Sequence, residues 1–299
     1  MPDGATGAVP AMLLIAGSGP TDRNGDSALM NGSIGTLRSL ADVLARNGIA
    51  SLRYDKIGVG QTGMGSLQAA DVGFDEFVRE AADATNYLAT QPGIDKAALG
   101  IVGHSEGGLI ALAVANGKGG QIPTLTSLSL LESATARILD TMSRQIDAQI
   151  DQSVNTGKLS RDDAATLRIS LAAAVAQLRT SGTVPDDASV QPFGLTSATA
   201  KLLASEDLLD PVALAATLHT PLRVFTSCSD KDINISCDDV AKLDEALKQT
   251  TLQQVHLTTA DHTLKDVGDQ PSTGTEYAQP LPFSQQFTDA WTAWLHTLR

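Results

Sequence analysis

Short apolar runs alternate with longer amphipathic segments along the first 130 residues or so of the chain. The apolar runs predict strands over 12–16, 49–54, 98–102 and 125–131. Between them, apolar side chains recur every three or four residues, which predicts helices over 34–47, 74–90 and 107–115. Strands that alternate with helices in this way favour βαβ units and a mostly parallel sheet with helices on its flanks, an α/β fold.

The pattern changes after the fourth strand. Helical periodicity continues through 133–219 without a convincing strand, and strands resume at 222–225 and 254–257 before a terminal helix at 283–299. We interpret the helical stretch as an insertion that forms a lid over a site, and a satellite bundle that serves assembly is the alternative. The predicted division is a core of 1–132 and 220–299 with a helical lid of 133–219.

A serine lies between glycines at the end of the third predicted strand. Gly103-His104-Ser105-Glu106-Gly107 follows the apolar run and precedes an Ala- and Leu-rich helix. A G-x-S-x-G sequence between strand and helix is typical of a sharp turn that exposes a nucleophilic serine. Ser105 is therefore the predicted nucleophile, and a glycine-rich loop without chemistry is the alternative.

A serine hydroxyl needs a base to remove its proton and an acid to orient that base. In a parallel sheet of this kind the expected chain order is serine, acid, histidine. Three histidines follow the predicted lid: His256 inside a strand, His262 in the loop after that strand, and His296 on the terminal helix. The loop position favours His262 as the base.

The acid should follow the strand near Val224, where Asp230 and Asp232 compete. Asp238 and Asp239 already enter the next predicted helix. Asp232 is the predicted acid, because the following Ile-Asn-Ile suits a turn that directs the carboxylate inward. Asp230 remains the alternative.

An oxyanion hole requires two backbone N–H groups that point at one oxygen. The residue after the nucleophile, Glu106, supplies one, and the glycine-rich turn after the first strand supplies the other through Ser18. The same glycines could instead bind phosphate, but the chain contains neither G-x-G-x-x-G nor G-K-[ST]. Because histidines and cysteines at metal-ligand spacing are also missing, the sequence predicts neither a cofactor nor a metal.

Charge and hydropathy narrow the range of partners. The formal net charge of −13 over 299 residues argues against binding to nucleic acid or to an anionic membrane. The chain has no apolar run of 18 residues, and its first residues lack the basic and apolar segments of a signal peptide. We therefore expect a soluble protein that acts on a small molecule.

The two cysteines, Cys228 and Cys237, lie close together in the chain. In a reducing compartment they would be ordinary small residues. A disulfide between them would close a short loop around Asp230 and Asp232 and would indicate export. The sequence leaves both alternatives, and the localisation, open.

Ser105, Asp232 and His262, in this order, resemble the catalytic residues of the α/β-hydrolase superfamily, and more closely those of bacterial carboxylesterases. The segments that carry the likeness are 16–25, 53–60, 229–233 and 260–265. The resemblance implies hydrolysis of short-chain carboxylic esters through an acyl-enzyme, without a cofactor. A serine peptidase or aminopeptidase of the same fold, or a non-catalytic ligand-binding member, is the alternative.

The chain also departs from that family. Ala16 stands where the family has a histidine before the oxyanion glycine. Only about ten residues precede the first strand, so the first two strands of the usual fold are expected to be absent. The strand at 49–54 would then be a sheet edge, whose unpaired backbone groups suggest a homodimer through that edge.

Overall fold

A single parallel sheet forms the centre of the structure, which is a computed structural model that describes residues 1–298. Its strands, in chain order, are β1 (Val9–Ile15), β2 (Ala50–Arg53), β3 (Ile94–His104), β4 (Ser127–Leu131), β5 (Arg223–Ser229) and β6 (Thr251–Leu257). Their order across the sheet is β2-β1-β3-β4-β5-β6, and every neighbouring pair is parallel. The prediction of a mostly parallel sheet flanked by helices is confirmed.

The helices connect these strands as the apolar periodicity predicts. They are α1 (Thr36–Arg46), α2 (Phe74–Thr90), α3 (Glu106–Ala115), α4 (Ile138–Asn155), α5 (Arg161–Ser181), α6 (Ala200–Glu206), α7 (Pro211–Ala215), α8 (Cys237–Ala246) and α9 (Gln285–His296). Helix α3 is buried from Glu106 to Val114. Helix α3 has no polar face because the sheet covers one side of it and other elements cover the rest.

The strand before Ser105 is longer than its apolar run. β3 begins at Ile94, which pairs with Val9 of β1, and the register shifts between Val9 and Ala11. Asp95 and Ala97 in this extension are partly or fully exposed. Solvated residues at the start of the strand explain why hydropathy alone locates only its buried end.

Aromatic residues of α9 fill the core on one face of the sheet. Trp291 and Phe287 are fully buried and pack in one cluster with Phe225 of β5 and with residues of α1. The indole N–H of Trp291 donates a hydrogen bond to Ser129 Oγ at 3.1 Å. The terminal helix is thus anchored to the middle of the sheet.

The chain divides into two compact units. The first comprises Met1–Gly63, Phe77–Thr135 and the chain from Pro211 onward. The second comprises Met64–Glu76 and Ala136–Asp210, and it has its own apolar core built from α4, α5 and α6. Within it, the buried carboxylate of Asp207 accepts hydrogen bonds from Arg137 and Arg179. The role of the helical insertion as a lid stays a prediction.

The strand β2 is at one edge of the sheet, as predicted for the strand at 49–54. A homodimer through this edge stays a prediction. Among residues 1–298, none of the helices combines the length and the apolar character that crossing a membrane requires.

Candidate active site

Ser105 occupies a strained turn between β3 and α3. Its backbone has φ 56° and ψ −124°, and residues other than glycine rarely adopt a positive φ of this kind. The turn is held by a hydrogen bond from Ser105 N–H to Leu131 O at 3.0 Å and by one from Gly108 N–H to Ser105 O at 2.9 Å. This geometry directs a side chain out of the sheet at the end of the strand.

The glycines on either side of this turn are required by close packing. A Cβ on Gly103 would overlap the backbone of Gly107, and a Cβ on Gly107 would overlap the carbonyl of Ile15 in β1. A Cβ on Gly17 would lie 3.1 Å from Ser105 Cβ. The turn after β1, which contains Gly17, therefore passes directly beside Ser105.

The structure brings Asp232 and His262 together. His262 Nδ1 lies 2.7 Å from Asp232 Oδ2, and the Asp232 side chain is inaccessible to solvent. The other carboxylate oxygen, Oδ1, accepts hydrogen bonds from the backbone N–H groups of Asn234 at 2.7 Å and Ile235 at 3.1 Å. Both oxygens of Asp232 are in hydrogen bonds, and these hold the carboxylate in one orientation.

The charges of this pair reinforce one another. Burial alone would raise the pKa of Asp232, but the nearby His262, together with hydrogen bonds to the carboxylate, holds that pKa below its ordinary value. Burial likewise opposes the charged imidazolium, yet the Asp232 carboxylate raises the pKa of His262 above 6.5. An imidazole in this position accepts a proton more readily than a free one.

The loop that carries His262 is held by the preceding aspartate. Asp261 Oδ1 accepts hydrogen bonds from Thr263 N–H at 2.8 Å, Thr263 Oγ1 at 2.7 Å and Lys265 N–H at 3.0 Å. Leu264 adopts a left-handed φ of 64° within this turn. A compact turn of this kind limits the movement of His262 relative to the sheet.

His104, which no sequence pattern indicates as a functional residue, connects the serine turn to the His262 loop. Its Nε2 lies 2.7 Å from the backbone carbonyl of His262, and the two imidazole rings have centroids 5.0 Å apart. Burial lowers the pKa of His104 to about 4, so the ring is neutral near pH 7. Because a carbonyl only accepts, Nε2 carries the hydrogen and donates it. The residue before Ser105 thereby holds the His262 backbone beside it.

The serine and the imidazole are not joined by a hydrogen bond. Within residues 1–298, neither Ser105 Oγ nor His262 Nε2 has a hydrogen-bond partner. Such contacts often form only when substrate binds. The other candidates lie elsewhere, because Asp230 pairs with His256 at 2.6 Å on the exposed surface and His296 is the last residue of α9.

A buried lysine joins the two segments that contain the predicted oxyanion donors. Lys56 is 1% exposed, and its Nζ donates to Gly17 O at 2.8 Å and to Glu106 Oε1 at 2.7 Å. Ser18 follows Gly17, and the N–H of Glu106 belongs to the first turn of α3, where N–H groups have no partner within the helix. Lys56 is in a segment that carries the family resemblance, but its sequence gives no sign of these contacts.

Cys228 and Cys237 form a disulfide, with Cα atoms 5.2 Å apart. The bond closes the loop that carries Asp232, and export of the protein stays a prediction. Within residues 1–298, Cys228, Cys237 and His256 are also the one group of three side chains close enough to hold a metal. The disulfide leaves this group without the thiolates that a metal site would need.

A family model described as serine aminopeptidase, S33, matches residues 30–163, a range that contains Ser105. No curated protein sequence matches the chain. Several solved structures are similar at low identity. One is Est1E from Butyrivibrio proteoclasticus with bound ferulic acid, which is 14% identical with a TM-score of 0.57, over 100% of this chain and 92% of that one.

Two esterases are similar in the same way. One, from Pyrococcus furiosus, is 13% identical with a TM-score of 0.53, over 97% of this chain and 83% of that one. The other, a thermophilic esterase from Thermogutta terrifontis, is 15% identical with a TM-score of 0.54, over 98% of this chain and 92% of that one. The chain has the α/β-hydrolase fold. The resemblance to α/β-hydrolases is thus confirmed at the level of the fold, and the match to the family model supports a hydrolase.

Proposed function

We propose that this α/β-hydrolase fold carries a serine esterase that cleaves short-chain carboxylic esters through an acyl-enzyme. The observation that supports it most directly is the 2.7 Å contact between His262 Nδ1 and Asp232 Oδ2. His104 holds the same histidine beside the strained turn of Ser105. Nucleophile, base and orienting acid are the three groups that this chemistry requires.

In the first half of the reaction, Ser105 Oγ attacks the ester carbonyl carbon while His262 Nε2 takes the hydroxyl proton. The tetrahedral intermediate collapses, and His262 returns the proton to the departing alcohol oxygen. Water then attacks the acyl-serine with His262 as the base, which releases the carboxylic acid and restores the serine. Asp232 stays ionised throughout and keeps the Nδ1–H tautomer of His262.

The negative oxygen of the intermediate would be held by the backbone N–H groups of Ser18 and Glu106. Loss of one such donor typically costs about 10²–10³ in rate. The positive end of the α3 dipole favours charge at the same place. The contacts of Lys56 with Gly17 and Glu106 support this arrangement, because they fix both donor segments in one position.

A serine aminopeptidase is the second candidate, favoured by the description of the matching family model. The same three residues would cleave an amide, and the difference would be in the groups that hold the free amine of the substrate. The esterase neighbours favour ester hydrolysis. Aminoacyl anilides and simple esters separate these two candidates in one assay.

The decisive experiment compares hydrolysis of p-nitrophenyl esters from acetate to palmitate, and of aminoacyl p-nitroanilides, by wild type and Ser105→Ala. Ser181→Ala, at an exposed helix end, serves as the matched control. We expect Ser105-dependent turnover that peaks at short acyl chains. A long-chain peak would indicate a lipase, and turnover of anilides alone would indicate an aminopeptidase.

Labelling by a fluorophosphonate probe provides a second test that is independent of substrate choice. We expect wild type and Ser181→Ala to be labelled and Ser105→Ala to remain unlabelled. If wild type is neither labelled nor active, the protein is a non-catalytic ligand-binding member of the fold.

A further inference from the structure

Glu132 is a buried carboxyl group for which the proposed mechanism has no use. It directly follows β4, is 0% exposed, and has a left-handed φ of 44°. A carboxyl group that is buried and has a strained backbone costs free energy of folding. Such a cost implies a role for Glu132, and the residues that contact it indicate which role.

One carboxyl oxygen of Glu132 is satisfied by β5. Ser227 Oγ donates a hydrogen bond to Oε1 at 3.0 Å and accepts one from the Glu132 backbone N–H at 3.2 Å. The other oxygen, Oε2, is buried and receives no hydrogen bond from any N–H or O–H donor of residues 1–298. A buried oxygen that receives nothing is suited to donating a proton.

Asp232 is the second carboxyl group at this edge of the sheet. Glu132 directly follows β4, and Asp232 lies in the turn after the neighbouring strand β5, whose Ser227 contacts the Glu132 carboxyl. Each of the two carboxyl groups shifts the pKa of the other. Two carboxyl groups share a hydrogen bond only when one of them carries a proton. Asp232 already accepts hydrogen bonds on both oxygens, from His262 and from two backbone N–H groups, which favours its ionised form. A proton shared by the two groups would therefore belong to Glu132.

The electrostatic surroundings agree with this assignment. Burial raises the pKa of Glu132 well above its ordinary value, and the nearby Asp232 acts in the same direction. The hydrogen bond from Ser227 acts in the opposite direction and is outweighed. Asp232 is the charged group that acts on Glu132, and Asp232 is itself in contact with His262.

We propose that Glu132 is a positioning residue for this site, a neutral carboxylic acid whose Oε2–H donates to Asp232 and fixes the carboxylate that orients His262. The inference rests on the proposed function, because it assigns Asp232 the role of the orienting acid. The two carboxyl groups together hold one proton and one negative charge. That proton stays on Glu132 during turnover, and the imidazole remains the only group that exchanges a proton with the substrate.

Two substitutions of similar length separate this role from simple packing. Glu132→Gln keeps a donor for Asp232 and an acceptor for Ser227 Oγ, whereas Glu132→Met fills the space without either. We expect kcat of Glu132→Gln within about threefold of wild type and kcat of Glu132→Met lower by about 10- to 100-fold, the usual cost of a lost hydrogen bond to a charged group. Equal loss in both variants would contradict the proposal.

Ser227→Ala is the matched control, because it removes the other contact of the Glu132 carboxyl and leaves the proton donor in place. We expect its kcat to fall by less than that of Glu132→Met, even where thermal unfolding shows a similar loss of stability. A larger fall for Ser227→Ala than for Glu132→Met would assign Glu132 a structural role only.

The protonation state itself is measured without turnover. In protein labelled with [δ-¹³C]glutamate, the signal missing from Glu132→Gln is assigned to Glu132, and we expect it at the position of a protonated carboxyl from pH 5 to 8. The pKa of His262, measured on its ring protons, should be unchanged in Glu132→Gln. If Glu132 were ionised, loss of its negative charge would lower that pKa by about one unit.

These readouts distinguish the two proposals. A protonated Glu132 in a protein without Ser105-dependent turnover would overturn the proposed function alone. Ser105-dependent turnover in a protein whose Glu132 signal titrates near its ordinary pKa would overturn this inference alone.

Discussion

Lys56 Nζ donates a hydrogen bond to Glu106 Oε1 across 2.7 Å, in a place where solvent reaches almost none of the lysine. The same ammonium group donates to Gly17 O and lies 4.9 Å from the centre of the Phe77 ring. A buried ion pair contributes little net stability, because removing both charges from water is costly. Its value here is positional, since it connects the turn after β1 to the first residue of α3.

Lys56→Met should be strongly destabilising and nearly inactive. The substitution leaves the Glu106 carboxylate in a buried place without its partner, which typically costs about 3–5 kcal/mol. It also frees the backbone of Gly17 next to a proposed oxyanion donor. Urea unfolding and kcat on p-nitrophenyl acetate measure the two effects.

The double variant Lys56→Met/Glu106→Gln is the control, because it removes the second charge as well. We expect it to recover much of the lost free energy of unfolding and little of the lost kcat. With Glu106→Gln measured as the second single variant, a double variant whose destabilisation equals the sum of the two single ones would show that the two side chains do not interact.

The acid limb of the pH–activity profile should lie above pH 6.5. His262 acts only when neutral, and its contact with Asp232 raises its pKa above 6.5, so kcat/KM falls as pH drops through the raised pKa. In Asp232→Asn we expect the limb to move to lower pH and kcat to fall by on the order of 10³–10⁴. If the acid limb lies at the same pH in wild type and in Asp232→Asn, a group other than His262 controls that limb.

The same pair makes stability depend on pH in a defined direction. Because the pKa of His262 is raised in the folded state, its stabilising contribution is fully present below about pH 6.5 and is lost as pH rises through the raised pKa. Denaturant unfolding of wild type and His262→Gln across pH 6 to 9 measures the effect. We expect the difference between the two free energies of unfolding to shrink towards pH 9.

His104 should produce the opposite dependence at lower pH. Its pKa is lowered from 6.5 to about 4 in the folded state, so stability present above pH 6.5 is lost as pH falls towards 4. The loss reaches on the order of 3 kcal/mol by pH 4. In His104→Gln, which keeps a donor for the His262 carbonyl, this dependence should disappear. An unchanged slope between pH 6.5 and 4 would show that other groups cause it.

Removal of the disulfide should loosen the loop that carries Asp232. The loop between Cys228 and Cys237 is short, with a sequence separation of 9, and closing a loop of this length contributes about 2–3 kcal/mol. We expect the Cys228→Ala/Cys237→Ala protein to lose that much stability and to show a lower kcat. Wild type treated with a thiol reductant should show the same losses of stability and kcat, whereas the alanine variant should be insensitive to the reductant.

Much of this architecture could be predicted from local patterns. The alternation of apolar runs and amphipathic helices predicts the order of β1–β6 and the helices between them. The G-x-S-x-G turn and the loops after β5 and β6 indicate Ser105, Asp232 and His262 because each loop follows a strand whose carboxyl end lies at the same sheet edge. The predicted β3 is shorter than the observed strand because the first residues of the strand are exposed to solvent.

The supporting residues could not be predicted, because their contacts join distant parts of the chain. His104 and His262 are separated by 158 residues, Glu132 and Ser227 by 95, and Lys56 and Glu106 by 50. These pairs depend on strand order and on the path of loops, neither of which appears in a local pattern. The one local sign is a carboxyl group directly after the buried strand 127–131, where Glu132 ends an apolar run.

The three non-glycine residues with left-handed backbone among residues 1–298 are Ser105, Glu132 and Leu264, and each lies within or beside the proposed site. Glycine at 105 or 132 would relieve strain of about 1–3 kcal/mol per position. A directed-evolution campaign that selects heat resistance alone would therefore favour glycine where the reaction needs a hydroxyl or a carboxyl group. Laboratory selection on this protein has to score turnover in every round, or the most heat-resistant clones will be the inactive ones.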